Sequence, residues 1–381
     1  MAGVGWDEVR ARRLARSSLL ERTGGGGAVE LVAALCGVHA QVQASAGLQL
    51  AARVEGFAQT DLQTALWEER TLVKAWTVRG TLHLHPAEEL PLWLAARRAV
   101  LGSTAEVLPA WRDPQGRTHP ALEAEEVAAV RAEVREALDG RCLLRDELTA
   151  AIVERVGDAP RERLRSGFAF FLEGLCQGPP QGSRITLARP DQWIGGWQVV
   201  TDEREALREI CRRFLRTYGP ATPAGFCEWL GSASFRAAEG QRLFDELAAE
   251  LDEVDVGGRS AFVLAGDTSF PEPTSVVRLL PEYDVYVMGF RERDQLVPGA
   301  VRELVAKQGR GRYEGPAGTR LVVVGGTAVG VWSRRRRGRR IELSVRLARG
   351  SGKPYRKALE REAEHLAAFL GLEPVLRVES S

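Results

Sequence analysis

The order in which secondary-structure signals follow one another constrains this chain more than its composition does. Helical patterns come in groups of two or three, and each group gives way to a short β-prone stretch closed by glycine or proline. Between residues 203 and 266 the group reads "EREALREICRRFLRTYG", "TPAGFCEWLG" and "SFRAAEGQRLFDELAAELDEV", followed by the strand-like "DVGGRSAFVLAG". Between 143 and 195, "LLRDELTAAIVERV" and "RERLRSGFAFFLEGLCQG" lead into "PPQGSRITLARPDQWIG", a turn and short strand pair. Nearer the start, "VELVAALCGVHAQV" spaces Leu31, Leu35, Val38 and Val42 on one helical face, and "TDLQTALWEERTLVKAW" is helical by pattern from a cap at Thr60 or Asp61. "TVRGTLHLHP" then supplies a turn and an alternating strand that Pro86 stops. Such a grammar predicts a mainly α chain with small β wings, an α+β fold of tandem winged helices.

Three such units are expected, at 1–110, 111–200 and 201–270, with "WRDPQGRTHP" (111–120) as a linker after the first. From about 271 to 381 the style changes. "TSVVRLLPEYDVYVMGF" and "TRLVVVGGTAVGVWSRRRRGRRIELSVRL" read as strands with turns between them, and "PYRKALEREAEHLAAFLG" as an amphipathic helix before a polar tail. "GTAVGVWS" and "RIELSVRL" flank "RRRRGRR", which puts Arg334, Arg335, Arg336, Arg337, Arg339 and Arg340 on a hairpin tip around Gly338.

Net charge is only +1, yet residues 331–357 carry eleven Lys or Arg against the single acid Glu342, leaving −9 for the rest of the chain. Six arginines on one hairpin tip repel one another unless anions relieve them, and a phosphate backbone does so. The bland alternative is a solvated arginine run from GC-rich coding, since lysine occurs only at 74, 307, 353 and 357. Concentration of the run between two ordered strands, beside tandem winged-helix patterns, favours nucleic acid.

Several classes are excluded or left without support. With 44% hydrophobic and 27% charged residues, no run approaches the roughly 18–20 unbroken apolar residues of a membrane span. The opening "MAGVGWDEVRARRLARSSLL" has no apolar core of a secretory signal, so a cytoplasmic protein is expected. Cys36, Cys142, Cys176, Cys211 and Cys227 lie far apart, without a CxxC or zinc-like histidine spacing, and read as buried thiols. His83 and His85 share a strand face but lack further ligands nearby, so they read as structural and no metal is expected. There is no phosphate loop, GxSxG elbow, HExxH or dinucleotide fingerprint, and no cofactor is expected. "TGGGGA" (23–28) reads as a flexible turn, and Asp113 and the acids of "EAEEV" as solvated surface.

One apolar stretch carries an oddity, "HAQVQAS" (39–45). A helix continued through residue 43 would send Val42 to the core and set Gln41 and Gln43 about 100° to either side. Gln43 would then neighbour His39, and Gln41 would neighbour Ser45. On composition alone, amides that cap or bridge to a neighbouring domain are favoured over a site.

"HAQVQAS", "WTVRGTLHLHP", "LLPEYDVYVMGFRERD" and "WSRRRRGRRIELSV" in this order resemble the AlkZ-like, or YcaQ-related, family of bacterial DNA glycosylases, over about residues 5–370. The resemblance implies tandem winged helices around a C-shaped DNA channel. It implies a catalytic Gln-x-Gln formed by Gln41 and Gln43, and double-stranded DNA with N7-alkylated guanine, bulky adducts or interstrand crosslinks as substrate. Repair or self-resistance in an antibiotic producer is the implied role, with no obligate protein partner.

Two amides can suffice because N7-alkylguanine is already cationic and leaves without enzyme-supplied protonation. The remaining work is to position water and stabilise an oxocarbenium-like sugar, which amide oxygens can do without titrating. Neutral bases should be poor substrates, unless His39 reaches the site and assists. A lyase step needs an amine, and Lys74 is the one lysine in the first segment, so a monofunctional enzyme is expected. Rival readings are a non-catalytic winged-helix regulator and a protein that sequesters drug or adduct without cutting.

Overall fold

The computed structural model describes residues 3–102, 107–113, 115–166, 175–308, 315–348 and 355–380. Helices and strands are mixed along the whole chain, which divides into two compact units. One gathers Met1–Gln63, Cys211–Trp229 and Ala237–Ser381; the other gathers Thr64–Ile210 and Leu230–Arg236.

The first unit opens with helices α1 (Trp6–Arg16), α2 (Ala28–Ala34) and α3 (Gln43–Ala51). The apolar spacing predicts one helix from 29 through 43, and the structure breaks it. Cys36 (φ 58°) and Gly37 (φ 86°) are both left-handed, and their N–H groups close the last turn of α2 on Ala33 O (3.1 Å) and Val32 O (3.0 Å). Glycine takes that conformation without steric cost, so the regular spacing across it does not continue the helix. Val38 and His39 are extended, and a new helix starts at Gln43. Val42 is therefore no core anchor: it precedes α3 and is 42% exposed, and the continuous helix that would set His39 beside Gln43 and Gln41 beside Ser45 is not formed.

From Ser45 to Ala51 every residue of α3 is buried, including Gln49. A core of Leu14, Leu19, Leu280, Phe290 and Val331 lies in the same unit, backed by a five-stranded sheet. Its strands run in the order Val277–Leu280, Leu321–Val324, Thr327–Arg337, Arg340–Leu347 and Glu373–Ser380, antiparallel except for the last pair. The expected polar tail is thus an edge strand: "EPVLRVES" alternates, and its partner is the second arm of the arginine hairpin. "VYVM" forms a turn of helix rather than a strand, because Asp284 caps it by accepting from Tyr286 N–H at 2.9 Å. A hairpin forms after the helices of the 203–266 group, but its first strand, Leu251–Val256, takes in residues 251–254, which the pattern assigns to the preceding helix; that helix stops at Glu246, and the strand pairs with Ser260–Leu264.

Asp284 has a second partner. Arg53, just beyond α3, meets it in a two-pronged ion pair of 2.7 and 2.8 Å with both side chains at 0% exposure. Two further guanidinium hydrogens reach Ser17 O (3.0 Å) and Gln49 O (2.9 Å). Gln49 donates to His39 O (3.0 Å) and accepts from Val285 N–H (3.1 Å). A charge pair in an apolar interior is tolerated only when satisfied in this way.

The second unit carries an antiparallel sheet in the order Leu82–Pro86, Leu72–Trp76, Cys176–Gln181, Arg184–Ala188, Leu143–Leu144. "TLVKAW" is a strand rather than the end of the preceding helix, which stops at Glu68. The expected helix 161–178 is described only as Arg161–Ser166; 167–174 lie outside the described residues. His85 packs on Trp93 (4.4 Å between rings) and bonds to Thr77 (3.0 Å), while His83 bonds to Thr81 O (2.9 Å). Among the described residues no His, Cys, Asp and Glu group could hold a metal, and no helix is long and apolar enough to cross a membrane. The cysteines are buried or half-buried, and burial pushes the Cys176 and Cys211 thiols well up.

"WRDPQGRTHP" is a hairpin rather than a plain linker, pairing Trp111–Arg112 with Thr118–His119. Asp113 is its buried anchor and not solvated surface. It accepts from the N–H groups of Gln115 and Arg117 (both 2.9 Å), from Arg117 Nε (2.6 Å) and from His119 Nε2 (3.0 Å). Burial would raise its carboxyl, and the bonds from His119 and Arg117 outweigh that and hold it far below the usual range.

Two tests follow from this packing. Asp284→Ala strands a buried guanidinium and should cost about 3–5 kcal/mol in urea unfolding; an unchanged midpoint would contradict the pair's burial. Lys74, buried opposite Leu84, has its ammonium pushed down from 10.5 to about 8 by burial. Between those values the unfolded chain binds the extra proton, so stability should rise with pH across that window. In Lys74→Met that rise should disappear from the pH series of unfolding midpoints.

Candidate active site

The segment Gln41-Val42-Gln43 lies where the enclosed helix α3 comes to the surface. Gln43 is the first residue of α3 and half-exposed; Gln41 sits in the bend before it and is exposed. Anchoring comes from both sides and from one source. On the near side, His39 is buried, its carbonyl held by Gln49 and its ring 5.2 Å from the ring of Tyr283 at a 36° tilt. On the far side, the hydroxyl of Ser45 donates to Glu282 O. Residues 39 and 45 are thus docked on the stretch 282–285, whose Asp284 is locked to Arg53.

Glu282 links this segment to the arginine hairpin. Its carboxylate accepts from Arg320 Nε (2.6 Å) and Nη2 (2.8 Å), and that guanidinium lies 5.6 Å from the centre of the Trp332 ring. Trp332 is fully buried and donates from Nε1 to Leu280 O at 2.9 Å. Burial alone would raise the Glu282 carboxyl; the bonds from Arg320, with the field of Arg334 added, outweigh it and hold it below the usual range. Arg334 is half-buried, and burial and the neighbouring Arg320 push its guanidinium down, against the pull of Glu282.

The other five arginines differ from Arg334. Arg335, Arg336, Arg337, Arg339 and Arg340 are exposed at the end of the two strands, with Gly338 left-handed at the turn (φ 60°). Their register pairs Arg335 with Glu342, Arg336 with Ile341 and Arg337 with Arg340. Arg337 reaches Glu342 (3.0 Å) and Arg340 reaches Glu373 (3.3 Å), exposed contacts of little energetic weight. Cationic surface therefore dominates the tip, on a rigid two-stranded arm rooted at Trp332.

Gln41, Gln43, His39 and all six arginines belong to the same compact unit, and Lys74 to the other. Sequence reasoning passed over Arg53, Gln49, Glu282, Tyr283 and Arg320, and gave Ser45 a different neighbour. Two signals pointed to them: polar Gln49 and Arg53 interrupt the apolar run "AGLQLAARV", and Glu282, Tyr283 and Asp284 lie inside "LLPEYDVYVMGF".

Comparison with known proteins bears on this geometry. The sequence pattern of the family described as "DNA glycosylase AlkZ-like" matches residues 32–369, which include the two glutamines and the hairpin. An interstrand DNA cross-link repair glycosylase of Streptomyces sahachiroi is 33% identical over 385 residues, covering 96% of this chain and 97% of that protein. The solved structure of the Streptomyces sahachiroi DNA glycosylase AlkZ is similar at a TM-score of 0.81 and 29% identity, covering 99% of this chain and 100% of that one.

Proposed function

We propose, from the premise that this chain belongs to the AlkZ-like DNA glycosylases, that it removes cationic N7-alkylated guanines from duplex DNA with Gln41 and Gln43 as its catalytic pair. The observation that carries the reading is the placement of two amides at the exposed approach to a helix that is buried from Ser45 onward, in a segment pinned at residues 39 and 45. Preorganised polar groups lower a barrier when they need not move as charge develops.

The substrate supplies what an amide cannot. Alkylation at N7 leaves a positive charge on the base, so the glycosidic electrons move into an already electron-poor ring and the base departs without a general acid. The sugar becomes oxocarbenium-like. Amide oxygens of Gln41 and Gln43 turn their negative ends toward it and accept hydrogen bonds from a water that adds to the anomeric carbon and then loses its extra proton to bulk solvent, while the base leaves as neutral N7-alkylguanine. No amine takes part, so the enzyme is monofunctional: Lys74 is buried in a strand of the other unit.

Bulky adducts and interstrand crosslinks fit the same chemistry, since their linkage also makes N7 cationic, and a relative is named for cross-link repair. A crosslinked guanine is tethered to the opposite strand and cannot flip freely into a pocket. Approach from the groove suits such a lesion, with the arginine tip holding backbone phosphates. Protection of a toxin producer from its own alkylating product is a role this activity would serve.

Incubation of the full chain with duplex carrying N7-methylguanine tests the reading. Wild type should leave abasic sites, and Gln41→Ala and Gln43→Ala should each slow single-turnover release by about 10²-fold, the order lost when one preorganised polar group is removed. Absence of abasic sites on several N7 adducts would overturn it.

A further inference from the structure

Tyr283 is held in a conformation that a tyrosine gains nothing by adopting locally. Its φ is 60°, the left-handed region that side chains with a β-carbon disfavour, and such outliers persist only where neighbours over-determine them. Here the neighbours do so on both sides. Tyr283 N–H donates to Ala317 O at 2.5 Å, Glu282 is held by Ser45 through its carbonyl and by Arg320 through its carboxylate, and Asp284 is locked to Arg53.

Burial of the phenol ring is not what this arrangement secures, because Tyr283 stays half-exposed. What it secures is position: the ring lies against His39, two residues before Gln41, on the segment that also anchors Ser45, two residues after Gln43. A second consideration is electrostatic. The N-terminal end of α3 carries positive partial charge, which opposes any cation forming beside Gln43. Aromatic faces attract cations without titrating, which is the one kind of help a site built on neutral amides still lacks.

We propose that Tyr283 is a catalytic residue whose ring contacts the sugar of the lesion nucleotide and stabilises its positive charge as the base departs. This rests on Gln41 and Gln43 marking the site. Ring and amides then divide the work: the amides orient water and the aromatic face meets the cation.

The test uses the full chain and two uncleavable duplexes, one carrying a protonated pyrrolidine abasic analogue and one its neutral tetrahydrofuran isostere, together with single-turnover release of N7-methylguanine. Wild type should bind the pyrrolidine duplex about tenfold more tightly than the tetrahydrofuran duplex, the scale of one desolvated cation–π contact. Tyr283→Phe should keep that preference and a release rate within about threefold of wild type. Tyr283→Leu should lose most of the preference and about tenfold in release, with tetrahydrofuran binding unchanged. Leucine retaining the preference, or weakening both duplexes equally as a merely structural role would, overturns the proposal. A wild type that releases no guanine yet prefers the cationic analogue in a Tyr283-dependent way would sink the glycosylase reading and leave the Tyr283 contact standing.

Discussion

The buried ion pair between Arg53 and Asp284 is the contact on which the candidate site depends. An isolated charge at 0% exposure would be prohibitive, so each group commits its neighbours. Arg53 draws in Ser17 O and Gln49 O, and Asp284 caps the turn at Tyr286. Gln49 then ties His39 to Val285. The consequence is a helix tied at several points to residues 282–285, with Gln43 at its first position and Gln41 and Val42 leading into it at the surface. An interaction of doubtful net value for stability acts here as a device for position.

Rigidity at that point matches what neutral amides need. A general acid or base contributes through its pKa, and can tolerate some motion; an amide contributes only by where its dipole points. The same unit places a cationic arm on the sheet, rooted at Trp332 and steadied through Arg320 and Glu282, whose main chain in turn holds Ser45. One short stretch, residues 282–285, therefore connects the amides, the ring of Tyr283 and the base of the arginine hairpin.

Much of this was legible in the sequence wherever the signal was local. The arginine hairpin was readable because alternating strands flank a glycine turn, and the strand 260–264 because its apolar alternation follows a glycine pair, whereas residues 251–254 carry on the apolar spacing of the helix before them and were not legible as its partner. The environment of the glutamines was not. Apolar spacing ran on through Gly37, and periodicity carries no record of a left-handed residue that ends a helix. Arg53 and Asp284 stand 231 residues apart, so neither announces the other. The tail 373–380 looked polar because an edge strand shows its charged face in every second residue. "VYVM" looked like a strand because β-branched residues favour one, and a single capping carboxylate overrode that preference.

The central claim is that the positive charge on the substrate replaces the proton this site cannot give. N7-methylguanine in a duplex can be converted by mild alkali to its ring-opened formamidopyrimidine, which keeps the methyl group and loses the charge. Single-turnover release of the two bases from the same duplex sequence isolates that difference. The account predicts ready release of the cationic base and loss of about 10³-fold or more for the ring-opened one, comparable to or larger than a typical general-acid contribution. Release of both at similar rates would mean that the protein supplies a proton after all, and would contradict it.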